Sequence, residues 1–470
     1  MDEHDLNRLG SLFRTRREQL AYKIEDLAED GLSISTISNF ETGKKKVKRN
    51  KIIRLFEKVG ITYKQIPSLV REEKKKIDQD RRLIHLHLLA IENHIQFVCP
   101  TQGLKQLKEV KRLVQAKKYE ELLPTIEYIA GKAYYKKENW TKAKDHYYKS
   151  MQLLETHPDW SKSNVYEGCL YELARIAFRE SDMVSALKLV EQGIQAFHKD
   201  GERSYLYDQL MISKVIYAEI LERNEDAFDT LSEMWQDTDK IDTEVLLNMY
   251  QLQATLYIKR SRYENAVQYA QTGIDIARRN RNYDRSFELW TTLGSAYIHL
   301  DELTEAKICF ESASQFEHKI QRKFLSIQNL IELGLLHLKE GNERVAQTLL
   351  EEAVKKAAKA KEALLHFKAF DALGDCLLQQ QKALDAVKRY EQALSIAHQH
   401  AFLSQEKQLT LKLAQHYEKN DLTKHSKYCA QYYRLSVQLL DKGGETSVVA
   451  PDVIQSTLTE RQAAGDPPDS

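Results

Sequence analysis

Residues 288–313 read ELWTTLGSAYIHLDELTEAKICFESA, and this stretch decides the fold. Gly294 is a small residue on one helix, Tyr297 a large one three positions on, and Ala306 a small residue opening a second helix. Two antiparallel helices approach closely only where side chains are small, and the large residue one turn on fills the gap beside them. The opening residue of the second helix recurs as Ala266, Ala306, Ala346, Ala386 and Ser426, a constant step of 40 residues. Twelve positions before each stands another small residue: Ala254, Gly294, Gly334, Gly374 and Ala414. Three positions after those comes a large one: Tyr257, Tyr297, His337, Leu377 and Tyr417. Earlier copies are looser, at Gly131/Tyr134/Ala143 and Ala174/Ala177/Ala186, with a degenerate one near Val215 and Ala227. A sustained period of this kind specifies stacked helical hairpins sharing one continuous core, which is a scaffold and not a chemistry.

Outward from that stretch the pattern stays helical from about 83 to 440, broken by short polar turns such as KKEN (136–139) and KEGN (339–342). The 17 glycines and 7 prolines are few for 470 residues, and Pro451, Pro467 and Pro468 lie in the last twenty. Little therefore interrupts a helix, and an all-α fold is expected. Residues 1–66 read as several short helices. Residues 67–82, PSLVREEKKKIDQDRR, read as a charged linker helix, 83–440 as the repeat solenoid, and 441–470 as a disordered tail without a sustained apolar face.

Several classes of function find no support. The start, MDEHDLNRLG, has no apolar stretch behind a basic one, so no signal peptide is expected, and no run of 18 apolar residues spans a membrane. The five cysteines, Cys99, Cys169, Cys309, Cys376 and Cys429, are far apart and odd in number, which fits reduced thiols in the cytoplasm. His85 and His87 point to different helix faces, so with His94 they make no metal site, and no metal or other cofactor is expected. No Gly-rich phosphate loop, HExxH or CxxC occurs, and no Ser/His/Asp set assembles. An enzyme is not expected.

Charge is informative only locally. Lys+Arg total 70 and Asp+Glu 69, so nucleic-acid binding requires a patch. Residues 44–58 supply one: Lys44, Lys45, Lys46, Lys48, Arg49, Lys51, Arg54 and Lys58 stand against Glu57. The patch follows LNRLGSLFRTRREQLAYKIEDLAEDGLSISTISNFETGK (6–44), where Leu9, Leu12 and Phe13 mark one helix and Ile24, Leu27 and Ala28 a short second one. Gly31 suits a left-handed turn, Ser33 can cap the next helix, and Ile37 and Phe40 face the core. Two short helices joined by a tight glycine turn form a DNA-binding arrangement whose second helix enters the major groove.

The motifs LA (27–28), GLS (31–33), IS (37–38) and ExGK (41–44) resemble the phage-repressor-like XRE/Cro helix-turn-helix family over about 55 residues. The family usually opens its second helix with a polar phosphate contact, often Gln; here Lys23-Ile24 stands there. The resemblance implies that Ile34, Ser35, Thr36 and Asn39 face base edges, with Asn suited to adenine. Lys44, Lys45, Lys46, Lys48 and Arg49 would contact phosphates of double-stranded DNA. Likewise Trp290, Leu293, Gly294, Tyr297, Ala306, Phe310 and Ala313 resemble the tetratricopeptide repeat, departing from it in the 40-residue step where 34 is commonest. The expected fold is therefore an all-α N-terminal helix-turn-helix domain followed by a right-handed α-solenoid of tetratricopeptide-like hairpins.

That layout resembles the RRNPP peptide-responsive regulators of Gram-positive bacteria, of the NprR/PlcR type. The resemblance implies a cytoplasmic transcriptional regulator, a homodimer or homotetramer, whose solenoid binds a short signalling peptide that alters oligomeric state and DNA binding in quorum sensing. In tetratricopeptide repeats the inner wall comes from the first helix of each pair. Mapped here, that wall holds Tyr171, Arg175, Arg179, Gln209, Asn248, Gln251, Thr255, Lys259, Thr291, Ser295 and Gln328. Arg175, Asn248, Gln251 and Lys259 would suit a peptide with an acidic side chain or free carboxylate. Two alternatives are an interaction protein whose repeats bind a response regulator and a plain repressor whose repeats only oligomerise.

Overall fold

The computed structural model describes residues 3–44 and 47–443, and the tail beyond 443 and the pair Lys45 and Lys46 lie outside the described residues. Among the described residues the regular structure is helical, apart from one isolated bridge between Glu29 and Leu32. The chain forms two compact units, Met1–His146 and Tyr147–Ser470.

The first unit opens with α1 (Glu3–Gln19), α2 (Ile34–Thr42) and α3 (Arg49–Lys58) around Leu9, Phe13, Leu32, Ile37, Phe40, Leu55 and Phe56. The rings of Phe13, Phe40 and Phe56 meet at 5.7–6.2 Å. Gly10 sets how closely α1 lies on α2: a Cβ there would stand 2.0 Å from the Phe40 carbonyl oxygen. Only a residue without a Cβ permits that approach. The short helix expected at Ile24–Ala28 is instead a single 3-10 turn, Glu25–Leu27. The Lys23 N–H donates to the Asp26 carboxylate at 2.7 Å, and Ala28 turns extended, so the chain leaves the helical path at once.

The charged run 67–82 lies inside one long helix, α4 (Ile66–Phe97), which carries Pro67 in its first turn. Ile84, Leu88, Ile91 and Ile95 are buried along it at helical spacing, and α4 packs on α5 (Pro100–Lys117) and α6 (Leu123–Lys136). Helix α7 (Trp140–Thr156) follows.

The second unit is the solenoid. Its helices are α8 (Val165–Arg179), α9 (Met183–Ala196), α10 (Tyr205–Ile220), α11 (Asn224–Met234), α12 (Thr243–Lys259), α13 (Tyr263–Arg279) and α14 (Tyr283–His299). There follow α15 (Leu303–Gln315), α16 (Leu325–Lys339), α17 (Glu343–Ala360), α18 (Ala363–Gln379), α19 (Ala383–Gln399), α20 (Leu403–Tyr417) and α21 (Leu422–Gly443). They pair in order as hairpins, and the first helices α12, α14, α16 and α18 also lie against one another. Ala266, Ala306, Ala346 and Ala386 are fully buried at equivalent places. Each glycine notch receives a side chain from the following helix. A Cβ on Gly294 would meet the Phe310 ring at 2.5 Å, one on Gly334 would meet Leu350 at 2.7 Å, and one on Gly374 would meet the Tyr390 ring at 2.4 Å.

One set of contacts departs from the neighbour-to-neighbour pattern. Arg179, ending α8, pairs with Glu362 before α18 at 3.2 Å. Glu222, just after α10, accepts hydrogen bonds from Ser404 and, at 3.3 Å, from Gln408 of α20. Met183 is buried in the same apolar cluster as residues of α16 to α21, with Phe178, Ile220 and Leu221 packed against it. The solenoid winds back and touches itself.

Candidate functional site

Helix α2 owes its position to both ends. Ser33 caps it, accepting from the Thr36 N–H at 3.3 Å, and Gly31 before it and Gly43 after it hold positive φ, +83° and +69°. Arg17, only 8% exposed, grips Glu41 with two bonds of 2.6 and 3.1 Å and donates to the Tyr22 carbonyl at 2.6 Å, so α1 and α2 are clamped together. With Ile37 and Phe40 turned inward, Ile34 and Ser35 are exposed and Thr36 and Asn39 half-exposed. Ile34, at the helix start, is left 49% open to solvent. The hydroxyls of Ser35 and Thr36 lie 3.0 and 2.9 Å from the Ser33 hydroxyl, within the cap.

Lys44, Lys48 and Arg49 are exposed next to this face. Lys45 and Lys46 lie outside the described residues. Within the basic run, Arg54 and Lys58 both bind Glu29, the latter at 2.7 Å. The hydrogen bond from Lys58, reinforced by Arg54, holds the Glu29 carboxyl below the usual range. These two cations brace the turn before α2.

In the solenoid the expected wall residues separate into three groups. Gln251, Thr255, Ser295 and Gln328 lie part-exposed on adjacent first helices, where Gln251 donates to Thr255 at 3.1 Å and to Thr292 at 3.4 Å. Gln209 and Asn248 are part-exposed on α10 and α12. Thr291 is buried within the wall, donating to the Phe287 carbonyl and lying 3.4 Å from Asn329, and so is not a groove residue. The cations expected to meet an acidic peptide are engaged already. Arg175 pairs with Glu172 at 2.8 Å and lies over the Tyr171 ring, Arg179 joins the closing contact, and Lys259 binds Glu219 at 2.6 Å.

A cleft of about 420 Å³ opens beside Ser295. Its lining adds Ile298, His299, Glu332, Leu335, Leu338, Lys339 and Gln379. None of these seven belongs to the expected wall, yet the period marks four of them. His299, Lys339 and Gln379 stand one, two and three 40-residue steps beyond Lys259, and Leu335 one step beyond Ser295. The volume falls within the roughly 300–1,000 Å³ typical of ligand pockets.

The sequence profile of the tetratricopeptide repeat matches residues 287–316. No characterised protein sequence matches the chain. Among solved structures, a Rap protein complexed with competence and sporulation factor superposes with a TM-score of 0.56 at 11% identity, covering 77% of this chain and 99% of that one. The apo quorum sensor NprR from B. thuringiensis gives 0.52 at 14% identity, covering 74% and 96%. The Rap conjugation gene regulator of plasmid pLS20, in complex with the Phr* peptide, gives 0.50 at 13%, covering 78% and 99%. At these identities the likeness establishes the fold: an all-α chain built on tetratricopeptide-like repeats. No helix among the described residues is long and apolar enough to cross a membrane.

Proposed function

We propose that this all-α repeat protein is a cytoplasmic, peptide-responsive transcriptional regulator, in which α2 and the basic run after it bind double-stranded DNA and the solenoid binds a short signalling peptide. The observation that carries the reading is the pairing, in one chain, of a clamped helix with an exposed face beside exposed cations and a repeat wall with a ligand-sized cleft. The likeness to solved quorum-sensing and peptide-bound proteins supports the second half. An effector shifts a regulator only by binding one arrangement better than another, so the peptide would act by favouring one oligomer, dimer or tetramer, over another.

DNA selection from a random pool, followed by titration of the selected operator, tests the first half. Asn39→Ala is expected to lose about 1–3 kcal/mol on the operator and little on random DNA. Replacing Lys48 and Arg49 by Ala should flatten the salt slope by about 1–2 units on every sequence. Calorimetry with peptides encoded beside the gene tests the second half. No heat from any of them, together with tight binding of a response regulator, would replace peptide sensing by the protein-interaction reading.

A further inference from the structure

The cleft on the first-helix wall presents a specific chemistry. Its floor is apolar: Ile298 from α14, and Leu335 and Leu338 from α16. Most of its charged and polar rim is committed elsewhere. Lys339 donates to the Ile298 carbonyl at 2.8 Å and lies 3.6 Å from Asp301. His299 stacks flat on Tyr263, with ring centres 5.0 Å apart. Gln379 reaches the Leu338 carbonyl at 3.5 Å.

Glu332 is bonded too, but keeps acceptor positions. Gln328 donates to its Oε1 at 2.6 Å, and the Ser295 hydroxyl, which donates to the Thr291 carbonyl at 3.1 Å, lies nearby. A carboxylate has about four acceptor positions, so capacity remains. Burial pushes this carboxyl above its usual range, opposed by Lys368, Gln328 and Ser295. A part-buried carboxylate above an apolar floor is stabilised by an arriving cation more than by any neutral group, because it lacks water to share the charge.

We propose that this cleft binds a positively charged nitrogen carried on an apolar body, with the nitrogen at Glu332 and the body on Ile298, Leu335 and Leu338. Where the ligand is a peptide, which rests on the reading above, the nitrogen is either the free amino terminus of an apolar residue or the side chain of a lysine or arginine. The ligand class is thus cationic at its anchor, in contrast to the acidic peptide that Arg175 and Lys259 suggest in the sequence alone.

The test uses the full chain with methyl-labelled Ile and Leu and three small probes: leucinamide, N-acetyl-leucinamide and N-acetyl-lysinamide. Leucinamide should shift the Ile298, Leu335 and Leu338 methyl signals saturably. Acetylation, or Glu332→Gln, should weaken it by about tenfold, the worth of one charge-assisted hydrogen bond. Leu338→Phe, which fills the floor, should abolish the response. Saturation by N-acetyl-lysinamide would assign the nitrogen to a side chain, and its absence beside a leucinamide response would assign it to an amino terminus. Equal binding of leucinamide and its acetylated form, an unchanged response in Glu332→Gln, or no saturable shift from any probe would overturn the proposal. Methyl shifts without heat from any peptide would leave the cleft standing and peptide sensing fallen. Peptide binding that Glu332→Gln leaves untouched would do the reverse.

Discussion

Glu167, in the first turn of α8, is 2% exposed, and its Oε2 finds no hydrogen-bond partner among the described residues. Burial raises its carboxyl from 4.5 to about 7. The folded chain therefore keeps a proton that the unfolded chain has already lost between those values. Stability falls as pH rises through that window and is flat above it. Glu167→Gln, of the same shape without the charge, should raise the urea midpoint at pH 8 and shrink the difference between pH 5 and pH 8. A variant with the wild-type pH dependence would show that Glu167 is ionised in the fold. Nothing in the sequence marks this residue, because a lone glutamate on an amphipathic helix reads as solvated. The basic run teaches the complementary lesson. Its composition was legible, but that Arg54 and Lys58 pair with a carboxylate depended on Glu29, which lies 25 residues before Arg54 and is brought beside it only by folding.

At the scale of elements, small-residue notches govern how hairpins close. Phe310 is fully buried with its ring in the notch left by Gly294. Gly294→Leu should cost about 1–3 kcal/mol in chemical denaturation, as overpacking of a dense core does. Pairing it with Phe310→Ala should recover part of the loss, since the two side chains compete for one volume. Strictly additive losses would mean that the glycine serves some other purpose. The notch, its period and the all-α class were readable because steric rules act over short, regular spacings. The single 3-10 turn at Glu25–Leu27 was not, since Ala28 turns extended and a helix that short is marginal on its own. The cleft was barely legible. Of its lining, the polar wall residues include only Ser295, while the apolar character of Leu335 and Leu338 resembles core in any linear reading.

Across the whole repeat unit, the closing contact sets the cooperativity. Stacked repeats that touch only their neighbours melt nearly as a sum of local terms. Here Met183 joins α8 and α9 to a cluster built from α16 to α21. The ion pair of Arg179 and Glu362 is half-exposed and contributes little alone, so the apolar part carries the closure. Met183→Lys should cost about 2 kcal/mol or more by burying a charge. Hydrogen exchange should then accelerate in α18 and α20 as well as in α8 to α10. Acceleration confined to α8–α10 would show that the repeats behave as independent neighbours.

That contact also imposes an order on synthesis. Arg179 leaves the ribosome 183 residues before Glu362, its partner. Hairpins form locally and early, whereas a junction of such sequence separation must wait for the distant segment and then bear the entropy of closing a long loop. The surface of Phe178, Ile220 and Leu221 is thus born uncovered and stays so while the middle hairpins are translated. During that interval the nascent chain offers an apolar face to chaperones, or to the same face of another chain on a neighbouring ribosome.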